Sequence, residues 1–139
     1  FSKAIHDEDF GPYLDLSRGY SYAQYAFSPD QKWIGMVRRS DNEHEYAALE
    51  IVDVSTEELI KQLDFSEVDL SSLAFQQDGS LIAVGQTDGK IALVDFETMS
   101  IVSTLDAHKG AVTTLIFSED GRYLISGGKD GTIKSWGVP

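Results

Sequence analysis

The sequence predicts an all-β chain built from repeated four-stranded antiparallel sheets. Three observations predict it: an internal repeat, short β-rich runs punctuated by Asp-Gly turns, and no room for a helix within a repeat. Phe75-Gln76-Gln77-Asp78-Gly79 recurs 42 residues later as Phe117-Ser118-Glu119-Asp120-Gly121. Thr87-Asp88-Gly89-Lys90-Ile91 recurs at the same distance as Lys129-Asp130-Gly131-Thr132-Ile133. A further copy opens at Phe27-Ser28-Pro29-Asp30, 48 residues before Phe75, whereas its landmark Val52-Asp53 stands 42 before Val94-Asp95. That first copy therefore carries an insertion of about six residues, placed near 38–45.

Taken in order, residues 1–18 match no copy and form an unassigned lead-in with room for a strand of a preceding unit. Residues 19–68 are the divergent first copy, with strand runs Ser21–Phe27, Trp33–Arg39, Tyr46–Val54 and Leu59–Phe65. Glu57 to Lys61 has the composition of one helical turn, which the repeat register overrides. Residues 69–106 give Leu70–Phe75, Leu81–Gln86, Lys90–Phe96 and Ser100–Asp106, turned at Asp78-Gly79 and Asp88-Gly89, where glycine accepts positive φ. Residues 107–139 give Val112–Phe117, Tyr123–Gly128 and Thr132–Val138, without an outer strand. Phe27, Phe75 and Phe117 recur at one register, which predicts packing between neighbouring units; Tyr25 and Trp33 are read the same way.

Composition limits the function. The 139 residues are 42% apolar and 24% charged, as in a globular domain. Lys and Arg number 11 against 23 Asp and Glu, for a net charge of -12. Such a chain repels phosphate backbones and anionic lipid, so neither nucleic acid nor a membrane is expected as a direct partner. The absence of cysteine excludes disulfides, thiolate metal sites and a cysteine nucleophile. No apolar run approaches the roughly 18 to 20 residues of a membrane helix, and the opening at Phe1 carries no signal-peptide pattern. The expectation is a piece of a longer soluble protein working inside the cell, in cytoplasm or nucleus.

The stretch from Ala107-His108 through Leu124-Ile125-Ser126-Gly127-Gly128-Lys129-Asp130-Gly131-Thr132-Ile133-Lys134-Ser135-Trp136 resembles a WD repeat. Ala107 stands for the family's usual glycine and Gly137 for its aspartate. The second copy keeps the Asp-Gly turn and Asp95 but has Ser66 and Val94 in place of His and Trp; the first keeps Asp53 and the apolar pattern. Phe27-Ser28-Pro29-Asp30-Gln31-Lys32-Trp33-Ile34 also resembles blades of TolB-type envelope propellers. The WD resemblance implies a β-propeller of four-stranded blades about a central channel, here three at most and so an incomplete ring. The remaining blades would come from the same protein or from another chain.

The resemblance also implies roles for particular residues. His108, Ser126, Asp130 and Trp136 would form a hydrogen-bonded chain inside the third blade, a structural network and not a catalytic triad. Positions favoured for partner contact fall on Asp69, Ser71, Thr87, Ala111, Thr113 and Lys129. No catalytic residue, metal site or cofactor is expected. His6-Asp7-Glu8-Asp9 and Glu43-His44-Glu45 lack metal-ligand spacing, and Gly85 to Lys90 misses a phosphate-loop pattern at both spacing and the following residue. The function expected is a non-catalytic protein-interaction scaffold, with partners that offer basic surfaces. Its alternatives are a targeting propeller of a multidomain enzyme, such as a splicing-associated ubiquitin ligase, and a TolB-like envelope propeller.

Overall fold

The structure is a computed structural model that describes residues 20–40 and 46–138; the lead-in and the core of the insertion lie outside them. Eleven strands are formed there: β1 Tyr22–Phe27, β2 Trp33–Arg38, β3 Ala47–Asp53, β4 Leu59–Phe65, β5 Leu70–Phe75, β6 Leu81–Gln86, β7 Lys90–Asp95, β8 Ser100–Asp106, β9 Val112–Phe117, β10 Tyr123–Gly128 and β11 Ile133–Gly137. They make three antiparallel sheets, ordered β1-β2-β3-β4, β5-β6-β7-β8 and β9-β10-β11. The strands β1, β5 and β9 lie innermost and abut in that order, so the sheets fan out as an unclosed ring.

Local chemistry sets these elements. In the tight turns after β5 and β9, Gly79 and Gly121 take φ of 76° and 73°. The carboxylates of Asp30, Asp78 and Asp120 accept backbone N–H groups two residues on and so close the first turn of each sheet. Gln31 holds the first sheet's equivalent of those glycines at φ 62°. Farther along, Glu57 N and Met99 N donate to Asp53 O and Asp95 O at 2.8 Å, the same turn repeated 42 residues apart. That turn, and not a helix, precedes the strand at Leu59.

Two apolar cores weld the sheets together. Val37, Leu49, Ile51, Leu73, Ile82, Val84 and Val94 pack between the first and second sheets. Ala83, Ile91, Leu93, Leu115, Phe117 and Leu124 pack between the second and third. The middle strands β6 and β7 are buried on both faces because they have a sheet on either side.

The recurrent aromatics divide by position. Phe75 and Phe117 pack into the two cores, but Phe27 is 53% and Tyr25 70% exposed. Their side of β1 faces away from the second sheet, and no third sheet covers it among the described residues. On the far side of the third sheet, Ile116, Ile125 and Ile133 are exposed; the matching Ala74, Ala83 and Ile91 of the second sheet are covered.

Candidate functional site: a polar lock and a shared depression

His108 lies buried in the connection between β8 and β9. Its Nδ1 is 3.1 Å from Asp130 Oδ1 and 2.9 Å from Thr132 Oγ1, and its Nε2 is 2.8 Å from Ser126 Oγ. Trp136 Nε1 donates to Ser126 Oγ at 3.0 Å. An indole N–H only donates, so Ser126 accepts from Trp136 and directs its own proton to His108 Nε2. A neutral imidazole with its proton on Nδ1, facing Asp130, then satisfies every group.

Asp130 also accepts from Lys109 N at 3.0 Å and from the Thr132 amide and hydroxyl. These donors, Lys109 N–H foremost, hold its carboxyl well below the ordinary carboxylate value. Gly128 completes the arrangement, since a Cβ there would stand 2.5 Å from His108 Cγ. Ser126 is fully buried, with its hydroxyl held between the His108 ring and the Trp136 indole. The network ties the loop, β10 and β11 together.

A second constellation lies at the ends of the innermost strands. Asp69, Ser71, Thr87, Ala111, Thr113 and Lys129 line one depression of about 360 Å³, together with Ala23, Arg39 and Leu70. Most of its polar groups have partners inside the chain. Asp69 Oδ1 accepts from Ser40 N and Leu70 N, and Asp69 O from Thr87 N. The Ser71 hydroxyl crosses to Val112 O at 2.6 Å, and Thr113 Oγ1 donates to Gly127 O at 3.2 Å. Gln24 bridges Thr113 O and Leu73 N, linking all three sheets at the inner end. Two cations are left over: neither the Arg39 guanidinium nor the Lys129 ammonium makes a hydrogen bond or ion pair among the described residues.

Two features escaped the sequence reading. Arg39 occupies the register of Thr87 and Lys129, a relation visible only when the first copy is shifted by 48 residues and not 42. The other is an ion pair inside the first sheet. Arg38 Nη1 donates to Glu50 Oε2 at 3.0 Å, Tyr22 OH donates to Glu50 Oε1 at 2.7 Å, and Arg38 lies 4.8 Å above the Tyr20 ring. Glu50 is fully buried. Of the candidate metal segments, 6–9 and 43–45 fall outside the described residues, among which no cluster of three or more metal-ligating side chains occurs.

Four-stranded antiparallel sheets that follow one another along the chain and fan out from adjoining inner strands define a β-propeller, and this chain is a section of one. The family model described as "WD domain, G-beta repeat" matches residues 57–95 and 99–137, more than half of the chain, so the chain belongs to the WD40 family. Each match begins in the turn just before an outer strand: 57–95 takes in β4 to β7 and 99–137 takes in β8 to β11. One sequence repeat thus supplies the edge of one sheet and the first three strands of the next.

Solved structures agree on the fold. The chain is similar to the structure described as "Crystal structure of RRP9 WD40 repeats", with TM-score 0.77, 18% identity, and coverage of 87% of this chain and 36% of that one. A chain in the "Crystal Structure of Mitotic Checkpoint Complex" aligns with TM-score 0.74 and 20% identity, covering 87% and 36%. The "Structure of U3-55K" gives 0.77 and 18%, covering 87% and 37%. The chain spans little more than a third of the length of these structures. Comparison with curated protein sequences finds no match.

Proposed function

We propose that this chain is part of a protein-interaction scaffold without chemistry of its own, which receives partner proteins on the depression lined by Asp69, Ser71, Thr87, Ala111, Thr113 and Lys129. The observation that carries the reading is convergence: one register of three repeats, Arg39, Thr87 and Lys129, meets a second, Ala23, Ser71 and Thr113, around one concavity. A repeat fold supplies such a surface without a dedicated active site. One structural neighbour is described as a complex, which is the setting this reading gives the chain. The acidic balance of the chain favours partners with basic surfaces elsewhere on the molecule and disfavours nucleic acid and membranes. No helix among the described residues is long and apolar enough to cross a membrane. An intracellular setting, in cytoplasm or nucleus, goes with this reading.

Site-specific photo-crosslinking tests it. A crosslinking side chain at Thr113 is expected to capture discrete partner proteins, and one at Ile60, on the outer strand β4, is not. Equal capture from both positions would contradict the reading.

A further inference from the structure

At the opposite ends of the strands from that depression, the turns after the innermost strands form a second rim. The seam between the second and third sheets is bridged there. Gln76 Nε2 reaches across to Gly121 O at 2.9 Å, and Gln76 Oε1 accepts the Ser80 hydroxyl. One seam earlier the same register holds Ser28, whose short side chain turns back on its own turn and donates to Asp30 Oδ1 at 2.7 Å.

The seam between the first and second sheets is consequently open, as a cleft of about 220 Å³. Its floor is aromatic. Trp33 and Phe96 stack with centroids 6.5 Å apart, and Phe75 lies 6.3 Å from Phe96. The matching floor one seam on is Leu81, Phe117 and Val138. Asp30 and Asp78 stand on opposite rims of the open cleft, and no cationic side chain among the described residues lines it.

We propose that this cleft between the first two sheets is a docking site for an arginine side chain presented by a partner protein. The chemistry is complementary on both counts. A planar guanidinium stacks on aromatic faces and is weakly hydrated, so Trp33 and Phe75 can receive its plane. Its remaining N–H groups can reach the Oδ2 atoms of Asp30 and Asp78, which make no hydrogen bond among the described residues, whereas the Oδ1 atoms are engaged in the turns. Those turn hydrogen bonds also hold both carboxyls below their ordinary value, so both stay ionised at neutral pH.

The cations among the described residues leave the cleft free. Lys61 lies over the Phe96 ring at 4.3 Å with its ammonium bound to Phe96 O and Glu97 O, and the Lys32 ammonium acts on Asp30 only through space, while the Lys32 backbone N–H closes the turn. This site is independent of the depression on the other face, and its failure would leave that reading untouched.

Titration of the full chain with blocked Gly-Arg-Gly, Gly-Lys-Gly and Gly-citrulline-Gly peptides tests the proposal, read on the indole N–H signals of Trp33 and Trp136. The arginine peptide is expected to shift Trp33 saturably and leave Trp136 unmoved. The lysine peptide should bind about threefold more weakly, and the uncharged citrulline peptide at least about tenfold more weakly. Asp30→Asn with Asp78→Asn keeps the Oδ1 acceptors of both turns and should weaken arginine binding about tenfold. Ser28→Gln, which imitates the bridged seam, should abolish it. Citrulline binding as tightly as arginine, or Trp33 failing to respond, would overturn the proposal on the unmodified chain, whatever the variants do.

Discussion

At one register of the repeat, the three sheets carry three different chemistries. Met36 pairs with Glu50 in the first, Val84 with Ala92 in the second and Ser126 with Lys134 in the third. The second sheet has a described neighbour on each side, and its residues at this register are wholly buried and apolar. The first and third sheets each hold a polar lock instead, Arg38–Glu50 with Tyr22 in one and His108–Ser126–Trp136 in the other. The backbone of a four-stranded sheet is compatible with any of these pairs. What differs is how side chains fix the connection to the strands: by apolar packing between sheets, or by hydrogen bonds within one.

The first sheet should be the easiest to break. Glu50→Ala strands the buried Arg38 guanidinium without its carboxylate, which costs about 3–5 kcal/mol for a buried pair. Chemical denaturation would read this as a lowered midpoint; replacing Glu50 and Arg38 together by apolar residues should recover most of the loss. In the third sheet, His108→Ala and Trp136→Phe each leave buried polar groups without a mate, at about 1–3 kcal/mol per group. At Val94, which matches Trp136, the serine-linked network is missing already, so Val94→Thr should lower stability only through the hydroxyl it buries. Equal losses from Trp136→Phe and a conservative Val94→Ile would erase the distinction between the two sheets.

Acid should act on the lock of the third sheet through Asp130. Its folded carboxyl value is depressed, so its contribution is complete above the ordinary value of 3.8 and is lost as pH falls through that value towards the lower folded one. Stability followed from neutral pH downwards should hold level and then drop below roughly pH 5. Asp30, Asp53, Asp78 and Asp120, held low mainly by turn hydrogen bonds, add to the same limb. Asp130→Asn should lower neutral-pH stability and flatten that acid limb; an unchanged limb would remove Asp130 from the account. The smallest effect belongs to the first turn. Gln31→Gly relieves a left-handed residue where the other two sheets already use glycine, for a gain of at most about 1 kcal/mol in thermal unfolding.

The strands were legible because the Asp-Gly turns recur at a fixed period, and their observed ends lie within a residue or so of the runs read from the sequence. The six depression residues came from the resemblance to a WD repeat and not from spacing; that they line one depression is seen only in the structure. Arg39 was hidden by the insertion, which shifts the first copy by six residues. The pair Arg38–Glu50 was hidden for a different reason: a charged residue in a short strand reads as solvent-facing, and only the packing around β2 and β3 buries it. Phe27 and Tyr25 show the converse, a repeat signal for packing on a side of the sheet that no described sheet covers.

The proposed function places recognition on Arg39 and Lys129 of the depression, unpaired among the described residues, and leaves folding to the locks. Its most direct test is the affinity of the full-length protein for a partner captured at Thr113, with Arg39→Glu/Lys129→Glu set beside His108→Ala. All three proteins would be held well below their unfolding midpoints. The charge-reversed protein should lose binding at least about tenfold with an unchanged midpoint, and the His108 variant should keep its affinity with a lowered one. Full affinity in the charge-reversed protein, or binding lost in step with stability in both, would contradict the claim.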